Sequence, residues 1–581
     1  MLACVIQYRE RFIVSMSIDP DLNQAQTSGR KLAKATGTVA AFTLLSRVLG
    51  MVRDVVIAGR FGAGMSTDAF FVAQRVPNLL RSLMAEGSLA NAFVPILAEE
   101  QRRSNDAARR AIGGVSSFVV LVTTVLAILG IYFAEEITLV FAPGFGAGTA
   151  KTALAAQLMR IMFPYIVIVS LLALAGSILN SLGRFGWSSA SQVIMNLVMI
   201  GGVLFSTTSY FSDQTAIYAL SISVLVGGVM ALYIQQKALA KSNVSLAFRS
   251  PLKTPAIKKL CRLMLPSVLS ASLYQILIFV NTLLASLLPE GSVSWLFYAD
   301  RIFQFPIGVF SLAVATAALP SLSRLASEGR DTELSLQLSQ ALSWMLFGTL
   351  PAALGMVILA QPIMSVLFER GTFSVYDAQQ SAAALAAFSI GLWSVSCQSL
   401  LVRGYLAKQN ALIPSAIACL SIGVNIVLSV LLMGPITLEH AGGLTSAVLA
   451  LRSLISPEHF WPGVTIPALG HVGLALSGSI GSILSVTLLT ALLPSVRIRL
   501  SFSSILSGLV KSIAGCLAMG AGLMLLMWLT NSAVTILLLG IPLGAVIYLS
   551  VTGLLRSGEA LAVFNEVHHR YLRFSSASAK K

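Results

Sequence analysis

Apolar runs of about twenty residues or more recur along nearly the whole chain, and they leave few folds open. As a helix, each is long enough to cross a hydrocarbon layer roughly 30 Å thick. A transmembrane barrel would instead show alternating segments of about ten residues. Charged residues make up 11% of the 581-residue sequence, against roughly 25% in a soluble domain. The pattern predicts an all-α polytopic membrane protein with about 14 transmembrane helices. The spans fall near 37–59, 67–98, 111–134, 153–182, 187–209, 214–236, 261–288, 294–322, 338–367, 377–406, 411–433, 469–495, 507–529 and 533–555.

In a soluble chain the net charge of +16 would point to nucleic acid. Here the basic residues cluster in alternate loops, as the positive-inside rule requires, so no nucleic-acid partner is expected. One set of loops carries Arg102, Arg103, Arg109, Arg110, Lys258, Lys259, Arg324 and Lys408, among others; the opposite set holds little beyond Arg60, Lys151, Arg370 and Arg452. Both termini fall with the basic set, which predicts that both ends lie in the cytoplasm. Residues 1–34, without the apolar core and cleavage site of a secretory signal, read as a cytoplasmic N-terminal extension, and 556–581 as a cytoplasmic tail. The five cysteines (Cys4, Cys261, Cys397, Cys419, Cys516) form no CxxC, so neither a disulfide framework nor a zinc site is indicated.

An internal repeat organises the spans. Phe71-Val-Ala-Gln-Arg75-Val76 in the second matches Phe297-Tyr-Ala-Asp-Arg301-Ile302 in the eighth, and a Pro-x-Leu follows each, at Pro95 and Pro320. Copies six spans apart cross in the same direction, which predicts two six-helix lobes, 35–240 and 250–496, related by a pseudo-twofold axis along the membrane normal. Helices 13 and 14, within 507–555, form an appended pair. The loop 434–468 is long, with an apolar middle near Leu444–Leu454 that reads as a short interfacial helix.

The stretch Gly37–Glu100 sets Arg47, Arg53, Asp54, Asp68, Arg75, Arg81 and Glu86 among apolar neighbours. A charge at mid-membrane costs roughly 2.5–3.5 kcal/mol, so these groups must face a polar interior. Residues seven and eighteen apart return to nearly one angle, which places Asp68, Arg75 and Glu86 on one face and Arg47 and Asp54 on another. Gly50 would let a neighbouring backbone or a ligand approach closely. Arg47, Arg53, Arg75, Arg81 and Arg301 outnumber Asp54, Asp68, Glu86 and Asp300. Surplus guanidinium suits phosphate or diphosphate, although interhelical ion pairs are the alternative use of these charges. Glu86 fits a gate residue or a helix-end carboxylate. Ser292 and Ser294 fit helix-start residues or donors to a ligand.

No Walker loop, HExxH or GxSxG signature is present, and the five histidines lie in the long loop, beside it or at the C-terminus. An anion transporter is therefore expected rather than an enzyme, with no cofactor and with coupling by membrane potential or an ion. A membrane enzyme acting on polyprenyl phosphates is the alternative of another class.

Ser46-Arg-Val-Leu-Gly-Met-Val-Arg-Asp54, Phe61-Gly-Ala-Gly-Met-Ser-Thr-Asp-Ala-Phe-Phe71, Pro77-Asn-Leu-Leu-Arg81, Ala85-Glu-Gly87, Gly291-Ser-Val-Ser-Trp295 and Tyr298-Ala-Asp-Arg301 resemble the MurJ (MviN) lipid II flippases. That family belongs to the multidrug/oligosaccharidyl-lipid/polysaccharide exporter superfamily. The resemblance implies a fourteen-helix inner-membrane protein of peptidoglycan synthesis that moves undecaprenyl-diphosphate-linked precursor outward. It implies substrate roles for Arg47, Arg53, Arg81, Arg301 and Asp68, a gate role for Glu86, and a lipid-tail groove on helices 13 and 14. Partners expected on this basis are lipid II, membrane lipids and cell-wall synthesis proteins. The family alternative is a flippase for another polyprenyl-diphosphate-linked oligosaccharide. The loop 434–468 departs from the shorter family connection.

Overall fold

The apolar runs fold as helices. The computed structural model describes residues 22–84, 88–208, 213–242, 244, 246, 255–434, 444–455, 468–566 and 568, and no strand occurs among them. Helix α1 (Leu22–Phe61) is continuous over 40 residues. It stops at Gly62, where φ is +67° and an added β-carbon would lie 2.8 Å from the Thr372 carbonyl oxygen. Only glycine meets both conditions without strain. Helices α2 (Met65–Met84) and α3 (Ser88–Arg103) occupy the second predicted span. Helix α4 (Asn105–Tyr132) begins where Ser104 Oγ accepts the Ala107 N–H at 3.0 Å, an N-cap that satisfies one of the open donors of the first turn.

Beyond α5 (Ala134–Phe141) and a 3₁₀ turn at Pro143–Phe145, the predicted span 153–182 is two helices, α6 (Ala150–Met162) and α7 (Tyr165–Ser181). The break falls at Pro164, which has no N–H to continue the ladder. Helices α8 (Phe185–Phe205), α9 (Asp213–Ala240) and α10 (Pro255–Ser286) complete the first half of the chain. The eighth span comprises α11 (Ser292–Pro306), a π turn at Ile307–Ser311 and α12 (Leu312–Ser327). Next come α13 (Asp331–Ile358), α14 (Ala360–Phe368), α15 (Val375–Ile390), α16 (Leu392–Ala407), α17 (Leu412–Leu432), α18 (Leu444–Ile455), α19 (His471–Leu492), α20 (Phe502–Leu529) and α21 (Ala533–Leu554).

Among the described residues ten helical stretches are long and apolar enough to cross a membrane, and α15 with α16, bent by 42°, make an eleventh. The predicted spans at 37–59 and 67–98 fall on α1 and on α2–α3, the helices that carry the charges.

One apolar core runs through both halves, from Ile57 of α1 and Phe70 of α2 to Tyr298 of α11 and Leu385 of α15. In the first half α8 packs on α1 and α9, and α2 on α6. In the second, α19 lies against α15, α16 and α17. Helix α10, expected to open the second lobe, packs along α3, α17, α2 and α4 and so touches both halves of the chain. Gln275 Nε2 donates to Ser82 Oγ at 2.8 Å and Lys259 pairs with Glu99, so polar contacts tie it to the first half. Helices α20 and α21 pair and lean on α13, where the buried Tyr548 hydroxyl donates to the Phe347 carbonyl at 2.8 Å.

Candidate functional site

Helices α1 and α11 run antiparallel along the seam between the halves, and their charges meet there. Arg53 folds back on its neighbour: Nη2 and Nε donate to Asp54 Oδ1 at 2.7 and 2.9 Å. Its Nη1 donates to Asn196 Oδ1 on α8 at 2.9 Å. Asn196 Nδ2 in turn donates to the Ser46 carbonyl at 3.0 Å, so one amide orients the arginine and ties α8 to α1. From α11, Arg301 Nε comes within 3.2 Å of Asp54 Oδ2, but off the line a hydrogen bond needs. Asp54, only 2% exposed, thus sits between two guanidinium groups with a net charge of +1 for the trio.

The Arg301 side chain is 38% exposed, its Cζ lies 4.7 Å above the Phe297 ring, and it makes no hydrogen bond to a described residue. Arg47, two turns from Asp54 on α1, has neither a hydrogen bond nor an ion pair among the described residues. A guanidinium carries five donors in a rigid fork. In both residues the terminal Nη groups make no hydrogen bond to a described residue.

Asp68 is placed elsewhere. At the end of the molecule where α1 stops, its buried carboxylate accepts from Lys151 Nζ (2.9 Å), Gly291 N–H (2.9 Å), Ser294 N–H (3.0 Å) and Ser294 Oγ (2.7 Å). Four donors saturate it, so here Asp68 and Ser294, expected as substrate contacts, bind each other across the seam. Met65 N–H donates to Glu290 Oε1 at 2.6 Å and Thr372 N–H to the Gly59 carbonyl at 3.0 Å, so this end of the two halves is held shut.

Asp300 accepts from Gln304 Nε2 at 2.5 Å and lies within electrostatic reach of Arg301 and Arg75. Arg75 and Arg81 are half-buried on α2, and Arg81 Nε reaches Asn78 Oδ1 at 3.4 Å. Gly50 faces Asn196, whose Nδ2 would stand 3.7 Å from an added β-carbon, so space alone does not demand glycine there. Glu86 lies outside the described residues. Asn196, Lys151 and Glu290 were not anticipated; a lone asparagine in the apolar run of α8 was the one signal available for the first of them.

The fold is that of a multi-pass membrane transporter. An inward-facing multidrug resistance MATE family transporter of the MOP superfamily matches with a TM-score of 0.61 at 13% identity, over 81% of this chain and 98% of that one. The chain belongs to the MurJ family, whose model, described as lipid II flippase MurJ, matches residues 57–451. It is 34% identical to the lipid II flippase MurJ of Burkholderia cenocepacia over 463 residues, 79% of this chain and 83% of that one. It is 34% identical to the probable lipid II flippase MurJ of Vibrio cholerae over 415 residues, 69% of this chain and 78% of that one. A solved structure, lipid II flippase MurJ in an inward closed conformation, matches with a TM-score of 0.72 at 26% identity, over 89% of this chain and 98% of that one.

Proposed function

We propose that this chain carries lipid II, the undecaprenyl-diphosphate-linked peptidoglycan precursor, from the inner to the outer leaflet of the cytoplasmic membrane. The observation that carries the reading is the pair Arg47 and Arg301, which hold no hydrogen bond among the described residues while Arg53 and Arg301 share the single carboxylate of Asp54. Forked, permanently charged donors match the oxygens of a diphosphate. In this reading Arg47, Arg53 and Arg301 grip the diphosphate, with Arg75 and Arg81 further along α2. Asp54 and Asp300 keep the cluster from repelling itself.

The chain crosses the membrane fourteen times, with α1, α2–α3 and α10 added to the eleven apolar crossings, and both termini are cytoplasmic. Two six-helix lobes rock about the seam. The Asp68–Ser294 end faces outward and is closed in this state, and Glu86 acts as a gate. Helices α20 and α21 offer an apolar groove to the polyprenyl tail. The cell interior is electrically negative, and moving one charge through 100 mV is worth about 2.3 kcal/mol. Outward transfer of a doubly charged headgroup therefore gains roughly 4–5 kcal/mol per 100 mV, and the emptied cationic cluster is drawn back by the same field.

Complementation tests the proposal. Cells depleted of their own lipid II flippase should grow when this chain is supplied and lyse when it carries Arg47→Ala or Arg301→Ala. Lysis with the wild-type chain, given normal membrane insertion, would refute it.

A further inference from the structure

The guanidinium of Arg47 crosses the seam and lies on Gly308, in the π turn between α11 and α12. A β-carbon at residue 308 would fall well inside van der Waals contact with Nη1, Cζ and Nη2 of Arg47. The group lies in the volume that a side chain at residue 308 would fill. Pro306 ends α11 and Leu312 N–H reaches back five residues to the Ile307 carbonyl, so the turn is wider than an α-helical one.

The turn is fixed on its other sides. Ser311 Oγ donates to Ser396 Oγ on α16 at 2.6 Å. Phe310 fills the place of the missing side chain of Gly348 on α13, where a β-carbon would overlap its ring. Gly308 follows Arg301 by seven residues and Arg47 precedes Asp54 by seven. On antiparallel helices both offsets are about 10 Å, so Arg47 on Gly308 lies one step beyond Arg301 on Asp54.

We propose that Gly308 is the positioning residue for Arg47: a bare, rigidly held backbone seat on which the guanidinium waits in place with its donors uncommitted. A carboxylate there would hold the arginine but occupy its fork. A bare backbone seat holds it by shape and leaves its N–H groups, which bond no described residue, for phosphate oxygens. The inference rests on the diphosphate reading above and adds a residue of the opposite half to that site. The overlap is with the end of a flexible side chain, so an added methyl displaces Arg47 and leaves the helices where they are.

The test is a double-mutant cycle on the purified full chain in nanodiscs, titrated with undecaprenyl diphosphate. Gly308→Ala should weaken binding roughly tenfold, the worth of a charge-assisted hydrogen bond, and by less than about twofold once Arg47→Lys is present, because coupled residues are not additive. Gly355→Ala on α13, where a β-carbon meets nothing within 4 Å, controls for loss of a helical glycine and should change nothing. An equal loss in both backgrounds, or none in either, would overturn the proposal. If Gly308→Ala alone fails to fold, Gly308→Ala with Arg47→Ala should restore a monodisperse protein; misfolding of both variants overturns it equally. Failure of the wild-type chain to bind undecaprenyl diphosphate would sink the diphosphate reading and the proposal with it.

Discussion

Phe71 and Phe297 stack ring on ring across the seam, with centroids 3.7 Å apart and planes inclined by 20°. They occupy the same place in the two Phe-x-Ala-x-Arg stretches of the sequence, and these two residues touch one another. Both are buried, and Tyr298 meets each ring edge-on. Truncating either to alanine should destabilise the protein by about 3–5 kcal/mol. The double variant should fall short of the sum by roughly 0.5–1.5 kcal/mol, the worth of an aromatic pair. Thermal melts of the four proteins check this, and strict additivity would show that the stack contributes nothing.

Asp54 holds Arg53 and Arg301 within reach of each other at the cost of a buried charge. Asp54→Asn keeps the shape and removes the counter-charge, leaving two guanidinium groups in mutual repulsion. Stability should drop by on the order of 2 kcal/mol, chiefly through the more buried Arg53, since the exposed Arg301 is screened. A melting curve and the complementation assay both report on it. An unchanged melt together with full rescue would contradict the assignment.

The Asp68–Lys151–Ser294 network joins α2, α6 and α11 at the end of the molecule where α1 stops. Lys151→Gln or Asp68→Asn should loosen that end and populate a state in which it is open. Spin labels at Tyr132 and Tyr376, both well exposed, would read the separation by pulsed electron resonance after the five native cysteines are replaced. The distribution should gain a longer component in the variants. Superimposable distributions would deny the network any latching role.

A cavity of about 340 Å³ opens between α13, α15 and α20, lined by Leu350, Leu354, Val357, Ile390 and Leu517, with Cys516 at its wall. If it receives part of the polyprenyl tail, Cys516→Trp should weaken binding of undecaprenyl diphosphate several-fold and leave farnesyl diphosphate unaffected. Equal losses for both would place the effect on the headgroup site instead.

The helices were legible because an apolar run long enough to cross a bilayer has one cheap way to satisfy its backbone. The breaks were less so. The span 153–182 reads as unbroken although Pro164 interrupts it, and the bend between α15 and α16 and the π turn at Ile307–Ser311 are set by what packs around them, Ser479 against Gly391 and Phe310 against Gly348. The apolar middle of the long loop does form a helix, α18. The arginine excess was legible from composition alone. Angular arithmetic on α2 placed Asp68 beside Arg75 on one helix face, yet its partners come from α6 and α11, and no single-helix projection contains them. Gly308 escaped because a missing side chain leaves no chemical signature until Arg47 is seen lying on it.

The central claim is that Arg47 and Arg301 grip a diphosphate and deliver it outward. Proteoliposomes holding the purified chain, labelled lipid II and an imposed potential negative on the cytoplasmic side test it most directly. The wild-type protein should transfer lipid II to the opposite leaflet faster as the potential rises, and Arg47→Gln and Arg301→Gln should each slow transfer at least tenfold. Transfer at wild-type rate by both variants would contradict the account.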